Sequence, residues 1–216
     1  MITSPWPFAQ WGLDIIGPFP RARGNRRFVL VPTDYFTKWV KAEALANIRD
    51  VDVKKFVWKN IVTRFEVPRI LVSDKGLQFD NKEFRECCSD LGIINRYSSP
   101  AYPPSNRQAE ATSKTIINGL KKRLEWAKGN LVEELPSVLW AYQTTPRRSI
   151  GETLFSLTYG VEAVILVEIS PPSMRVTGFS PNSNDIRMVE SLDPLEGRQG
   201  ITSIRLTFTN RNWLEV

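Results

Sequence analysis

Through the first hundred or so residues, apolar positions come in short runs broken by turn formers; later they recur at helical spacing. Residues 11–16 are apolar except for Asp14. Residues 28–31 form a continuous apolar run, and 39–44 continue in the same style. Asp34-Tyr35-Phe36-Thr37 between the last two fits a hairpin turn. Val53, Phe56, Val57, Ile61 and Phe65 then recur at spacings of three and four, which predicts a helix opened by Asp50 or Asp52 and closed by Pro68. Residues 69–73 read as a short buried strand ending at Asp74. A second helix is expected over 81–91, with Asn81 as its cap and Gly92 as its stop, and another strand over 93–97. Residues 98–106 hold three prolines and no apolar periodicity, so they read as a loop. Long helices are predicted over 107–128 and over 132–145. Three strands, helix, strand, helix, strand, helix, helix is the pattern of an α/β layer with a mixed sheet.

Composition narrows the chemistry more than the fold. The 216 residues include 29 Lys and Arg against 23 Asp and Glu, a net charge of +6, and 42% are hydrophobic. That is ordinary for a globular chain. There is no histidine, which removes Ser-His-Asp and Cys-His catalysis and every histidine base or zinc ligand. The two cysteines, Cys87 and Cys88, are adjacent, so neither a disulfide framework nor a zinc site is expected. No apolar run reaches the ~18 residues of a membrane span, and the N-terminus lacks the pattern of a secretory signal. A basic balance points to an acidic partner, nucleic acid first. What is left is carboxylate chemistry, with or without hard metal ions.

Three carboxylates stand out. Asp14 interrupts an apolar strand, where an ionised group is costly unless it is paired or holds a metal. Asp74 ends a strand, and ligands of open α/β sheets gather outside the carboxyl ends of strands. Glu110 lies in the first turn of the long helix. Together they form an oxygen-ligand set suited to Mg²⁺. Each also has a plainer reading: Asp14 as a turn or cap, Asp74 opening a turn with Gly76, Glu110 as a first-turn acid favoured by the helix dipole. At 100° per residue, Lys114, Lys121 and Lys128 fall within ~40° of Glu110. Such a row suits a phosphate backbone passing a metal site, or is simply a solvated face.

The sequences WGLDIIGPFP, DYFTKWVKAEAL, PRILVSDKGLQFDN, SNRQAEATSKT, LPSVLWAYQTTP and LTYG together resemble the integrase of gypsy-type LTR retrotransposons, plant lineage. The similar stretch runs over residues 5–205. Asp14 and Asp74 are separated by 59 residues, and Asp74 and Glu110 by 35. The second interval is the D-D-35-E signature of that family. The resemblance implies a ribonuclease-H-like mixed five-stranded sheet flanked by helices. It implies two Mg²⁺ or Mn²⁺ ions held by Asp14, Asp74 and Glu110, and no zinc. It implies metal-dependent phosphoryl transfer that trims the 3′ ends of element DNA and joins them to target DNA. DNA contacts would fall on Asn106, Arg107, Gln108, Lys114 and Lys121, and action as a homodimer or higher multimer is expected. The place of function would be the nucleus, with the cytoplasm otherwise, and no secretion or membrane attachment.

The chain also departs from the family pattern. Arg107 stands where a glycine is usual, and the zinc-binding domain that usually precedes the core is not in this sequence. The expected organisation is a catalytic core over 1–165, a Pro/Ser/Asn-rich linker over 166–184, and a partly helical, truncated tail over 185–216, interrupted by Pro194, Gly197 and Gly200. A catalytically inactive nucleic-acid-binding remnant is the competing reading, and a ribonuclease H on the same fold a third. Most of the seven tryptophans are expected in the core, and the cysteines as packing residues. Asp34 and Asp80 read as turn or cap residues, and the arginine-rich turn over 21–27 as a solvated hairpin tip in preference to a DNA contact.

Overall fold

The computed structural model describes residues 6–98, 107–126, 131–147, 150–163, 195 and 197–202. The chain forms two compact units, residues 1–142 and 143–216.

The first unit is built on a five-stranded mixed sheet of order β3-β2-β1-β4-β5. Strand β1 (Gln10–Ile16) lies at its centre, antiparallel to β2 (Phe28–Asp34) and parallel to β4 (Ile70–Ser73). The edges are β3 (Glu43–Leu45), antiparallel to β2, and β5 (Ile94–Tyr97), parallel to β4. A central strand covered on both faces needs near-continuous apolar character. β1 has it: Trp11, Leu13 and Ile16 are buried, and Asp14 is half-buried.

Helices cover the sheet. α1 (Asp50–Val57) continues through a wide π-helical stretch (Trp58–Val62) into α2 (Thr63–Phe65). The predicted helix is therefore continuous but not uniform. Val53, Phe56, Val57 and Ile61 are buried, as their spacing requires. Phe65 at its end packs on Trp11, with ring centroids 5.4 Å apart. α3 (Lys82–Asp90) starts where predicted: Asn81 Oδ1 accepts the Phe84 N–H at 2.7 Å. Gly92 ends the turn at φ 69°. α4 (Arg107–Trp126) and α5 (Leu131–Thr144) are the remaining helices reaching this unit. Ile116 and Leu120 of α4 and Leu131, Leu135 and Val138 of α5 pack with Ile16, Val29 and Val31 of the sheet in one buried cluster. Gly119 allows α4 and α5 to approach closely, since a Cβ there would lie 3.0 Å from Val138 Cγ1.

The predicted strand over 39–44 is shorter than expected. Asp34 N–H still donates to Trp39 O (2.8 Å), and Thr33 still bridges Val40, so the hairpin turn is present. Pro32 has no N–H to return the Lys41 N–H bond it accepts, which interrupts the ladder. Regular pairing resumes at Glu43 in the same register. Among the described tryptophans, Trp11 and Trp39 are core residues, Trp140 is half-buried, and Trp6 and Trp58 are exposed. The expectation that most lie in the core thus fails for Trp6 and Trp58. Cys88 is buried and Cys87 partly so, both free, and burial pushes the Cys88 thiol up to about 11.

In the second unit, α6 (Leu154–Tyr159) is capped by Thr153, whose Oγ1 accepts the Ser156 N–H at 2.9 Å, and stops at Gly160, φ 78°. Residues 197–202 are helical in spite of Gly197 and Gly200. Side chains from this segment satisfy carbonyls at the end of α6: Gln199 Nε2 donates to Leu157 O and Arg198 to Gly160 O, each at 2.7 Å. The expected linker over 166–184 lies outside the described residues. Among the described residues, no helix is long and apolar enough to cross a membrane.

Candidate active site

Sheet register brings the acids to one end. β1 and β4 run parallel with Gly12 opposite Val72. Two further residues along each strand bring Asp14 level with Asp74, which follows β4 directly. Gly12, Asp14 and Ile16 alternate onto one face, and Ile16 packs there with Ile116 and Leu120 of α4.

Gly12 sets how closely α4 approaches. A Cβ at this position would lie 2.9 Å from Ala109 Cβ and 2.8 Å from Tyr35 Cε2, with the Tyr35 hydroxyl at 3.1 Å. The bare backbone of β1 thus lets the first turn of α4 and the Tyr35 ring settle beside Asp14. Ala109 is fully buried in that contact, and its neighbour Glu110 is exposed at its rim.

Asp14 feels both its burial and the neighbouring acids. Burial raises the Asp14 carboxyl above its usual range. The Ser113 hydroxyl and the Ile15 backbone oppose that shift, and the charges of Asp74 and Glu110 add to it. Ser113 is buried one turn after Glu110, and its Oγ has no hydrogen-bond partner of standard geometry among the described residues. Tyr35 is raised by burial first, then by the charge of Glu110. Asp14 therefore sits in the fields of both other acids.

The three carboxylates do not close on one point. Among the described residues, no three Asp, Glu or Cys side chains are grouped as an ion would need. Asp74 is exposed, and its Oδ1 accepts the Gly76 N–H at 3.0 Å. It thus performs the turn role that was its plainer reading. The donor set still fits a hard divalent ion: oxygen ligands only, with mutual repulsion that a cation would relieve.

Of the expected DNA contacts, Lys114 and Lys121 are exposed on α4. Asn106 lies outside the described residues. Arg107 and Gln108 belong to the first turn of α4, and their side chains are not among those described. Sequence reasoning passed over Gly12, Tyr35 and Ser113. Of these only Gly12 left a signal, as an isolated glycine inside a strand.

Asp34 is more deeply placed than a turn residue at a surface. It is fully buried, and its carboxylate accepts from Phe8 N (3.1 Å), Thr37 N (2.7 Å) and Thr37 Oγ1 (2.7 Å). Burial nonetheless raises it to about 6. Asp80 pairs with Arg85 at 3.4 Å at the start of α3.

Comparison with known proteins agrees with this architecture. Residues 5–103 match the integrase core domain family. The chain is 32% identical over 161 residues to the Gag-Pol polyprotein of woolly monkey sarcoma virus, covering 74% of this chain and 9% of that protein. It is 26% identical over 147 residues to the gypsy retrotransposon integrase-like protein 1 of Bos taurus, covering 67% and 28%. The chain therefore spans only a small part of the curated relatives it matches. The fold is similar to the simian T-cell lymphotropic virus intasome solved with the PP2A regulatory subunit B56 gamma, at TM-score 0.64 and 18% identity, covering 72% of this chain and 56% of that one. It is also similar to the HTLV-2 integrase catalytic core domain in complex with magnesium in its trimeric form, at TM-score 0.57 and 18% identity, covering 70% and 97%. The five-stranded mixed sheet flanked by helices is the ribonuclease-H-like fold of these integrase cores, and residues 5–103 are similar to the integrase core domain family.

Proposed function

We propose that this chain is the catalytic part of a gypsy-type retrotransposon integrase of the plant lineage, which trims the 3′ ends of element DNA and joins them to target DNA. The observation that carries this reading is the sheet register that brings half-buried Asp14 level with Asp74 at the ends of β1 and β4, beside the first turn of α4 seated at Gly12.

Asp14, Asp74 and Glu110 would hold Mg²⁺ or Mn²⁺, two ions in all. Such ions activate the attacking oxygen and neutralise charge on the phosphodiester of an in-line displacement. In trimming, a water oxygen forms the new bond to phosphorus and the 3′ oxygen leaves, taking up a proton. In joining, the freed 3′ hydroxyl attacks a target phosphodiester, and the bond to the displaced 3′ oxygen breaks. The protein's part is to orient. β1 and β4 fix Asp14 and Asp74, Gly12 seats the turn that carries Glu110, and Lys114 and Lys121 hold phosphates beyond it. Asp74, whose Oδ1 accepts the Gly76 N–H, would offer its other carboxylate oxygen to an ion. No histidine and no covalent intermediate are required, in keeping with the composition. Assembly of several copies on DNA, in the nucleus, goes with the reading. HTLV-2 core domains form trimers and dimers.

The test is Mn²⁺-dependent resolution of a branched DNA that mimics the joined product, a reaction that makes few demands on flanking domains. Asp74→Asn keeps an oxygen for the Gly76 N–H, so the turn and the fold persist while an ionic ligand is lost. Activity in the parent and none in the variant is expected. Equal activity in both would overturn the assignment. Metal-indifferent DNA binding without turnover would instead make the chain a nucleic-acid-binding remnant.

A further inference from the structure

The connection between β1 and β2 carries Arg21, Arg23, Arg26 and Arg27, and no acidic residue occurs from Ile15 to Thr33. Four like charges in seven residues repel one another, yet the turn is held firmly. Phe19 N–H donates to Arg27 O (2.7 Å), Ala22 N–H to Arg26 O (2.9 Å), and Arg27 N–H to Leu45 O (3.0 Å). Phe19 and Ala22 pack against the buried cluster. Gly24 and Asn25 take φ of 73° and 58° to close the tip. Arg27 lies over the Phe28 ring at 5.0 Å, part of the support.

Arg21, Arg23 and Arg26 differ from Arg27 in being exposed. None of them takes part in an ion pair among the described residues. Some cations elsewhere on the unit do pair: Arg49 with Asp52, Lys59 with Glu43, Arg85 with Asp80, Arg123 with Glu134. The arginine tip is thus an ordered and uncompensated cationic projection.

Its direction is fixed by topology. It follows β1, so it leaves the sheet at the end that carries Asp14 and Asp74. Ala22 lies eight chain steps beyond Asp14, a reach of at most ~29 Å. That is about eight base pairs of duplex at ~3.4 Å each. Guanidinium forks suit phosphate oxygens.

We propose that Arg21, Arg23 and Arg26 form a second backbone clamp for duplex DNA, gripping phosphates within about eight base pairs of the carboxylate site. The proposal rests on DNA being the substrate, as argued above. It predicts the salt dependence of duplex binding, with each phosphate contact contributing about 0.9 to the slope of log K against log[salt]. Fluorescence anisotropy of a labelled duplex is to be titrated over a range of KCl without divalent ions. The R21Q/R23Q/R26Q variant is expected to lose about 2–3 from the slope, and R21K/R23K/R26K to keep the parent slope. The single R23Q, at the solvent-exposed turn, is expected to lose about 1 and serves if the triple variant melts early. Parent slopes in both R21Q/R23Q/R26Q and R23Q would overturn the clamp while leaving the DNA reading intact. Absence of salt-dependent binding in the parent itself would overturn both.

Discussion

Replacing Gly12 with alanine tests whether the strand–helix contact positions the site. The added Cβ would lie 2.9 Å from Ala109 Cβ and 2.8 Å from Tyr35 Cε2. Carbon atoms pack comfortably at ~3.5–4.0 Å, so the surroundings must yield by about 0.6–1.2 Å. Ala109 is fully buried and Tyr35 is 4% exposed, so neither has free space to move into. Overpacking of this kind costs about 1–3 kcal/mol. For a chain of this size, that lowers Tm by roughly 2–12 °C. The easiest relief is an outward shift of the first turn of α4, which displaces Glu110 by nearly the same amount. A misplacement of ~1 Å can cost ~100-fold in rate. Calorimetry and the branched-DNA reaction read the two effects separately. Ala109→Gly in the Gly12→Ala background removes one overlap, so activity should partly return. Tm should stay depressed, because glycine in a helix costs about 1 kcal/mol. A Gly12→Ala protein with parental Tm and parental activity would refute the reasoning.

Three further outcomes follow from named contacts. Asp34 is raised from 3.8 to about 6 in the folded protein, so its contribution to stability is fully present below pH 3.8 and is lost as pH rises through about 6; denaturation between pH 4 and 7 should show that decline, and Asp34→Asn should remove it while lowering stability throughout, since an amide NH2 would face the donors of Thr37 or Phe8. Asn81→Ala deletes the cap on Phe84 N–H and should cost about 1 kcal/mol by urea denaturation, without altering divalent-ion binding. Lys114→Gln with Lys121→Gln should reduce the salt slope of duplex binding by about 2; an unchanged slope would return the lysines to a solvated face.

Local patterns carried much of this fold. The Asn81 cap, the stop at Gly92 and the buried spacing of Val53 to Ile61 are short-range signals, and each appears where the sequence places it. The apolar face of α4 was legible in the same way, with Ile116 and Leu120 buried and Lys114 and Lys121 exposed. What was not legible depends on distant neighbours. Pro32 interrupts a ladder whose other side is at Lys41, so residues 39–44 looked like one strand. The burial of Trp11 and the exposure of Trp58 are decided by what the fold lays against them. The candidate acids were singled out by chemistry, spacing and family resemblance. The residues that seat them were not: Gly12, Tyr35 and Ser113 come together only through the crossing of α4 over β1. Asp34 read correctly as a turn residue, but its burial is a property of the whole unit.

Whether Asp14, Asp74 and Glu110 form one divalent-ion site is decided by Mn²⁺ binding followed by electron paramagnetic resonance. Saturable binding approaching two ions per chain is expected in the presence of DNA, lost or strongly weakened in each of Asp14→Asn, Asp74→Asn and Glu110→Gln. Binding of parental strength in all three variants would contradict it.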